Sequence, residues 1–506
     1  MINNKIIENC KDELKNYYNN YIKEKKSNNI YLEDKYFNYF LQIIDRFSKQ
    51  PLSTQEEIFN FLGLSNKNDL VFLNDAIRAS SVAQNLITKS GIGKKYWNTI
   101  MPFAKTTEQT LGNNYQFPQR IALFPGVSCM FYCGFCGRNQ SEKYPTSILN
   151  DSKLTFDKLF SQIPNSTALS ISGGLEPLTN PKIGEIISSA RNNDIRVPLI
   201  TNGYSLTENF LKRTPGIWDL DSLRISLYGI DKESYKFITR VEKSFDIVKK
   251  NTISFLKLRN INNKNLKFGF NFIVIPENVN QLNGILELVK SINENVDNGR
   301  GVDFLTLRDD YQSVTGNDDK FDEERKYKLS TKMDTEVRNI LIDKLGEFEI
   351  NKSKLCPELY VDYGYSLEAL YKNIFDKQLI KVTHKEMRNF GFTQMSVAID
   401  LYGDVFVYRE AGFLNRKGNE KFIIGRINEN NSLEDVIKKF LKNKKPINYE
   451  FQDERFMDSF DHVLTSLVNQ AEKDQKFDIP FKKGPILGRI MSNEINLGNN
   501  WYTEKN

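Results

Sequence analysis

Residues 120–139 read RIALFPGVSCMFYCGFCGRN: a short β-type run, Arg120 to Gly126, leads straight into a loop that holds Cys129, Cys133 and Cys136. The chain has only five cysteines in 506 residues, so three within eight positions ask for a metal. Thiolates are soft ligands, and a C-x3-C-x2-C spacing in a Gly- and aromatic-rich loop lets three of them converge on one face of an iron–sulfur cube. The fourth iron then lacks a protein ligand and stays open to a small molecule. A structural zinc site is the rival reading, but it needs a closed tetrahedron of Cys and His. Only His384, His462, Cys10 and Cys356 remain as a fourth ligand, all far away in sequence. Buried packing of thiols explains neither the spacing nor the flanking glycines.

Outward from this loop the chain alternates short β-type runs with amphipathic segments. The runs are RIALFPG (120–126), ALSISGG (168–174), RVPLITNG (196–203), SLRISLYG (222–229), LKFGFNFIVI (266–275) and VDFLTLRDD (302–310). Between them lie stretches such as NPKIGEIISSARNND (180–194) and NVNQLNGILELVKSI (278–292). Six strand–helix units predict an α/β fold with a parallel sheet, most simply a partial (β/α)6 barrel. The chemistry of such barrels sits in the loops after the strands, and the cysteine loop is the first of them.

The barrel is expected over 116–315, after an N-terminal helical region (1–115). There Phe37, Phe40, Leu41, Ile44 and Phe47 share one helical face, and STQEEIFNFLG carries a capping box and a Gly stop. A C-terminal α+β extension is expected over 316–506, with QMSVAIDLYGDVFVYREAGF (394–413) as two strands around a turn at Tyr402-Gly403-Asp404.

Composition narrows the function. Apolar residues make up 40% and charged residues 26%, ordinary globular usage. The net charge of +6 is spread over Lys-rich helices, which argues against a nucleic-acid partner. No apolar run is long enough for a membrane span and no signal peptide is evident, so a cytoplasmic, reducing location is expected.

The cysteine motif, with aromatic Phe135 just before its last thiol and a first barrel strand ahead of it, resembles the signature of the radical S-adenosylmethionine (SAM) superfamily. The resemblance implies a 4Fe–4S cluster on Cys129, Cys133 and Cys136, with SAM chelating the open iron. Electron transfer from the reduced cluster would then cleave SAM to a 5′-deoxyadenosyl radical, fed by an external donor such as flavodoxin or ferredoxin. Gly173 and Gly174 in SGGLEPL match the segment that meets SAM's methionyl amino group, with Glu176 able to accept from an ammonium. Thr201, Asn202 and Ser226 occupy positions where the superfamily touches SAM's ribose or carboxylate; helix capping is the plainer account of such residues.

Within that superfamily, segments from KYWNTIMPF (95–103) to RFMDSFDHVLTSLVNQAEKD (455–474) resemble the ammonia-lyases that act on nucleotide-linked 4-amino-4,6-dideoxy sugars, a dTDP-sugar being favoured. VDFLTLRDDY, VDYGYSLEAL and YGDVFVYREAGF fall outside the SAM machinery. The resemblance implies hydrogen abstraction at C3 and loss of ammonia from C4, giving a 3-keto-4,6-dideoxy sugar. Arg308, Asp309 and Tyr311 after the sixth strand, and Tyr408, Arg409 and Glu410 on the second hairpin strand, are the candidate catalytic and substrate residues. Asp309 stands where glutamate is expected. Asp362, Tyr363 and Tyr365 are further pocket candidates, and Tyr96 and Trp97 could close the mouth. A structural ion pair or plain aromatic packing is the competing account of each. The alternative chemistry is a radical SAM dehydrogenase oxidising an aminosugar or cyclitol alcohol, though Cys10 and Cys356 cannot hold an auxiliary cluster.

Overall fold

The computed structural model describes residues 115–309, 335–363, 377–378, 382–469 and 503–504, apart from 134–135, 139–140, 165–166, 264, 276–277, 297–298, 390–391, 444–446, 459–460, 462–463 and 466–467. The N-terminal helices expected at 37–47 and 53–63, with Tyr96 and Trp97, lie outside the described residues, as do Phe135, Tyr311 and Tyr365. Two compact units divide the chain, and the larger takes in Arg120–Leu379 and Ser396–Asp461. All described candidate site residues belong to it.

The six expected strands are present: β1 (Arg120–Leu123), β2 (Ala168–Ile171), β3 (Pro198–Thr201), β4 (Ser222–Leu227), β5 (Lys267–Val274) and β6 (Phe304–Asp309). They pair in sequence order and in parallel. Helices intervene as α1 (Leu149–Phe160), α2 (Ile183–Asn192), α3 (Glu208–Arg213), α4 (Lys232–Thr239), α5 (Ser244–Asn262) and α6 (Leu282–Glu294). This is the partial (β/α)6 barrel that the alternation predicts.

Each element follows from its residues. In β4, Leu223, Ile225 and Leu227 are buried on one face while Ser222, Arg224 and Ser226 stand half-buried on the other, the period-2 pattern of a strand. In α6, Leu282, Ile285, Leu286, Val289 and Ile292 recur at helical spacing and are all buried. The apolar faces meet where Phe255 of α5 lies 5.4 Å from Phe268 of β5, and Trp218 stacks on Phe255, also at 5.4 Å. Burying such a side chain stabilises the fold by ~1.5–3 kcal/mol.

The sheet does not stop at six strands. Beyond α7 (Thr335–Leu355), β7 (Tyr360–Tyr363) pairs in parallel with β6. At the other edge β8 (Ser396–Ile399) runs parallel to β1, followed by antiparallel β9 (Asp404–Phe406) and β10 (Ile423–Arg426), with α8 (Leu433–Asn443) after them. Residues expected in a C-terminal extension thus complete the barrel's own sheet, because β8 supplies β1 with the second neighbour that a buried strand requires.

The hairpin β8–β9 forms at the expected turn but is shorter than expected. β9 ends at Phe406, so Tyr408, Arg409 and Glu410 are not on a strand; Arg409–Gly412 form a 3-10 turn. The cause is local: the Arg409 backbone N–H donates to Asp461 Oδ2 at 3.2 Å and not to a neighbouring strand. Tyr408 packs in the core, 5.9 Å from Phe422 and 6.4 Å from Tyr449, as an apolar anchor.

Asp400 holds the turn together. Its Oδ1 accepts from the backbone N–H of Tyr402 (3.0 Å) and Asp404 (2.9 Å), and its Oδ2 accepts from Tyr144 Oη (2.9 Å). Burial, aided by the neighbouring Asp404 charge, pushes its carboxyl from 3.8 up to about 7. A raised carboxyl binds its proton more tightly in the folded state, so its contribution to stability is present at low pH and lost as pH rises from 3.8 through about 7. Asp400→Asn is therefore expected to gain thermal stability relative to wild type as pH rises across that window and to level off above it. Melting curves at stepped pH test this, and a pH-independent difference would refute it.

Candidate functional site

The cysteine loop is fixed to the ends of three strands through one carboxylate. The Ser128 carbonyl accepts from the Glu176 N–H at 2.9 Å, stitching the loop after β1 to the loop after β2. The Glu176 side chain is buried and accepts three hydrogen bonds: from Leu178 N (3.0 Å) and Thr201 Oγ1 (2.5 Å) on Oε1, and from Asn202 N (2.8 Å) on Oε2. Burial raises its pKa against the pull of those donors. The sequence reading offers this carboxylate to an ammonium, whereas in the structure its oxygens first join the ends of β2 and β3. The rest of the SGGLEPLTN stretch works toward the same end. Thr179 Oγ1 accepts from Val127 N and Ser128 N, both at 3.1 Å, and Asn180 Nδ2 donates to the Pro125 carbonyl at 2.7 Å.

The glycines here answer a space requirement. A Cβ on Gly173 would stand 2.2 Å from the Leu175 carbonyl oxygen, and one on Gly126 would stand 2.6 Å from the Leu175 carbonyl carbon. Asn202, next to Thr201, reaches the loop itself: Nδ2 lies 3.1 Å from Met130 Sδ and 3.9 Å from Cys129 Sγ. Ser226 is half-buried in β4, one strand over.

On its far side the loop is held by aromatics. Phe131 is buried against Tyr204 (5.5 Å), Tyr228 (5.8 Å) and Tyr235 (6.3 Å), each edge to face, and the Tyr132 N–H donates to the Thr239 carbonyl at 2.9 Å. Tyr228, directly after β4, also hydrogen-bonds the Cys133 thiol.

Cys129, Cys133 and Cys136 are close enough to perturb one another. Burial pushes all three thiols up, Cys129 to about 11 and Cys133 well above the usual range, where Cys136 and Cys129 add to the effect. The buried Arg138 guanidinium acts the other way on each of them. One buried and two half-buried thiols near a buried cation suit a group that replaces their protons and carries net negative charge, as an iron–sulfur cube on three thiolates does. Among the described residues no three Cys, His, Asp or Glu side chains gather as ligands of a single metal ion. A cube takes one thiolate per iron and so keeps its ligands apart.

The C-terminal turn packs directly on this loop. A Cβ on Gly137 would lie 2.9 Å from Phe413 Cε2 and 3.1 Å from both Arg416 Nη1 and Glu410 Oε2. Glu410 is thereby brought within electrostatic reach of Cys136 on one side and of Arg308 on the other. Burial raises its carboxyl, while Arg409 and Arg416 pull it down, the latter with Nη1 at 3.8 Å. Arg409 extends Nη2 to Ser172 Oγ (3.0 Å) and Nη1 to Asp458 Oδ2 (3.2 Å), and Arg120 shares that Asp458 oxygen at 3.2 Å. Burial alone would push Asp458 up, but the two guanidiniums hold it well below the usual carboxylate range.

Of the sequence candidates, the structure therefore brings together Cys129, Cys133, Cys136, Glu176, Thr201 and Asn202 at the strand ends, with Arg308, Arg409 and Glu410 beside them. Asp309 ends β6 in register with Val274, and Asp362 sits in β7 in register with Thr306; the side chains of Asp309 and Tyr363 lie outside the description. Gly137, Arg138, Tyr228 and Arg416 escaped the sequence reading. The Gly and Arg directly after the last cysteine were the available signal.

Cys133→Ala should abolish reductive SAM cleavage and lower bound iron after anaerobic reconstitution; retained cleavage would refute the cluster assignment. Glu176→Ala leaves three donors without their acceptor, two of them on buried backbone, and should lower stability by ~2–5 kcal/mol in denaturant titrations.

The radical SAM superfamily pattern matches residues 123–289. The dTDP-4-amino-4,6-dideoxy-D-glucose ammonia-lyase of Streptomyces venezuelae is 32% identical over 441 residues, covering 86% of this chain and 87% of that protein. Among solved structures, SuiB of Streptococcus suis bound to its precursor peptide SuiA superposes with a TM-score of 0.44 at 14% identity, over 68% of this chain and 69% of that one. Native anSMEcpe with bound AdoMet gives a TM-score of 0.41 at 14% identity, over 69% of this chain and 82% of that one. With the C-x3-C-x2-C loop after β1, a sheet in (β/α)6 order and a relative of this identity over most of its length, the chain belongs to the radical SAM superfamily and takes a 4Fe–4S cluster and SAM as its cofactors.

Proposed function

We propose that this chain is a radical SAM ammonia-lyase acting on a nucleotide-linked 4-amino-4,6-dideoxy sugar, with a dTDP-sugar as the favoured substrate. The observation that carries the reading is the extent of the likeness: it spans 441 residues, whereas the superfamily pattern covers only 123–289. The likeness thus takes in residues outside that pattern, to which this reading assigns the substrate.

Cys129, Cys133 and Cys136 would hold the cluster, and the loops after β2, β3 and β4 would hold SAM. Bound together and reduced, the two supply a carbon-centred radical that removes a hydrogen atom from substrate carbon. The protein's own task is then to make C3 the atom attacked and to help the C4 amine leave. A carbon radical bearing a hydroxyl is far more acidic than the parent alcohol, so a modest base suffices. Glu410 fits that role: its raised carboxyl lies beside the cluster loop and answers electrostatically to Arg308. It would take the C3 hydroxyl proton and return it to the departing amine. The substrate change is redox-neutral: the C3 alcohol becomes a ketone, the C4–N bond becomes C4–H, and the hydrogen equivalent removed from C3 is made good at C4, as a hydrogen atom or as one electron and one proton. Phe413 and Phe124, 5.9 Å apart, pack over the loop and help exclude water.

The competing oxidation would export electrons, commonly through a second cluster, and the sequence leaves only Cys10 and Cys356 for one. Cys356 hydrogen-bonds the Leu286 carbonyl at 3.5 Å, beside α6. Anaerobic turnover with SAM and the aminosugar nucleotide should release one ammonia per keto sugar; ketone that retains its nitrogen would overturn the lyase reading. Glu410→Gln should slow ammonia release by ~10²–10⁴-fold, with 5′-deoxyadenosine formation persisting uncoupled from it.

A further inference from the structure

The inner face of β4 to β7, opposite the helices, carries a run of polar residues. One row crosses the sheet in register: Ser226, Asn271, Thr306 and Asp362. Thr306 is 6% exposed and its hydroxyl has no hydrogen-bond partner; Asn271 is 5% exposed, and among the described residues its amide makes no hydrogen bond. Two residues before Ser226 on the same face stands Arg224, which no sequence pattern singled out. Its guanidinium carbon lies 5.2 Å from the Phe304 ring centroid, a cation–π contact that uses none of its five N–H groups. Among the described residues Arg224 makes no hydrogen bond.

Buried polar groups are normally satisfied, and a shielded cation needs counter-charge. Arg224 feels one carboxylate, Asp362, and one further cation, Arg308 from β6. The fork of Arg224 keeps its N–H donors unengaged, on the same face as the unpartnered Thr306 hydroxyl. An apolar ligand would leave those donors unmet, and a cation would be repelled. An anion with several acceptor oxygens answers both, and a planar guanidinium is suited to phosphate oxygens.

We propose that Arg224 receives the diphosphate of the nucleotide sugar, while Asn271 and Thr306 hydrogen-bond the hydroxyls next to it. This inference rests on the lyase reading, since it is that substrate class which brings a diphosphate. Arg224 is a binding and positioning residue: it anchors the part of the substrate that does not react, so that C3 is held for abstraction.

The test uses the full-length, anaerobically reconstituted protein, titrated calorimetrically with dTDP, UDP and inorganic pyrophosphate, alongside steady-state kinetics. Arg224→Gln should weaken dTDP binding and raise KM for the nucleotide sugar by about tenfold or more, with kcat nearly unchanged and SAM affinity unchanged. Arg224→Lys keeps the charge but loses the fork, and should fall between the two; it also serves should the Gln variant fail to fold. Wild type that binds dTDP, with either folded variant binding it equally well, overturns the role of Arg224 and leaves the lyase reading standing. Wild type that binds no nucleoside diphosphate overturns both.

Discussion

The buried carboxylate of Glu176 is the constraint on which the site depends. Four strand-end loops must come to one place without a continuous ladder to hold them, because backbone pairing ends where the strands end. A single acceptor with two oxygens gathers a hydroxyl and a backbone N–H from the end of β3 and a second backbone N–H from its own loop after β2, and its own N–H ties in the cysteine loop. Hydrogen bonds to a charged acceptor are about twice as strong as neutral ones, and here they also fix where Asn202 stands relative to Cys129. The geometry of the radical centre is thus set by a residue that need not touch iron.

A second set of charges builds the opposite wall. Asp458 draws Arg120 from the start of β1 and Arg409 from the C-terminal turn onto one oxygen. That arrangement binds the turn to the sheet, and Arg409 passes the constraint on to Ser172 at the end of β2. Segments more than 200 residues apart in sequence meet across this ion pair. This wall and the cysteine loop share a foundation in the same short parallel strands.

How much of this could be read from the chain depends on the kind of signal. The strands of the barrel were legible because Leu223, Ile225 and Leu227 alternate with polar residues, and the cluster was legible because ligand spacing is a local property. The strand after Gly403 was overread, since VFVYREAGF keeps an extended-looking pattern while Asp461, more than 50 residues on, captures the Arg409 N–H. Tyr228 acts on the thiols only through the fold, and Arg224 looks like any exposed polar position of an alternating strand. Its face turns inward because the sheet is covered by helices on the other side, which no window of sequence contains.

The tight seat of Gly137 ties these levels together. Because its missing side chain lets Glu410 and Phe413 press against the cysteine loop, the ionisable Glu410 sits in the electrostatic field of Cys136. Cluster reduction potential responds to nearby charge. A change of charge at Glu410 is therefore felt at Cys136, and a change to this turn also alters the surroundings of the cysteine loop.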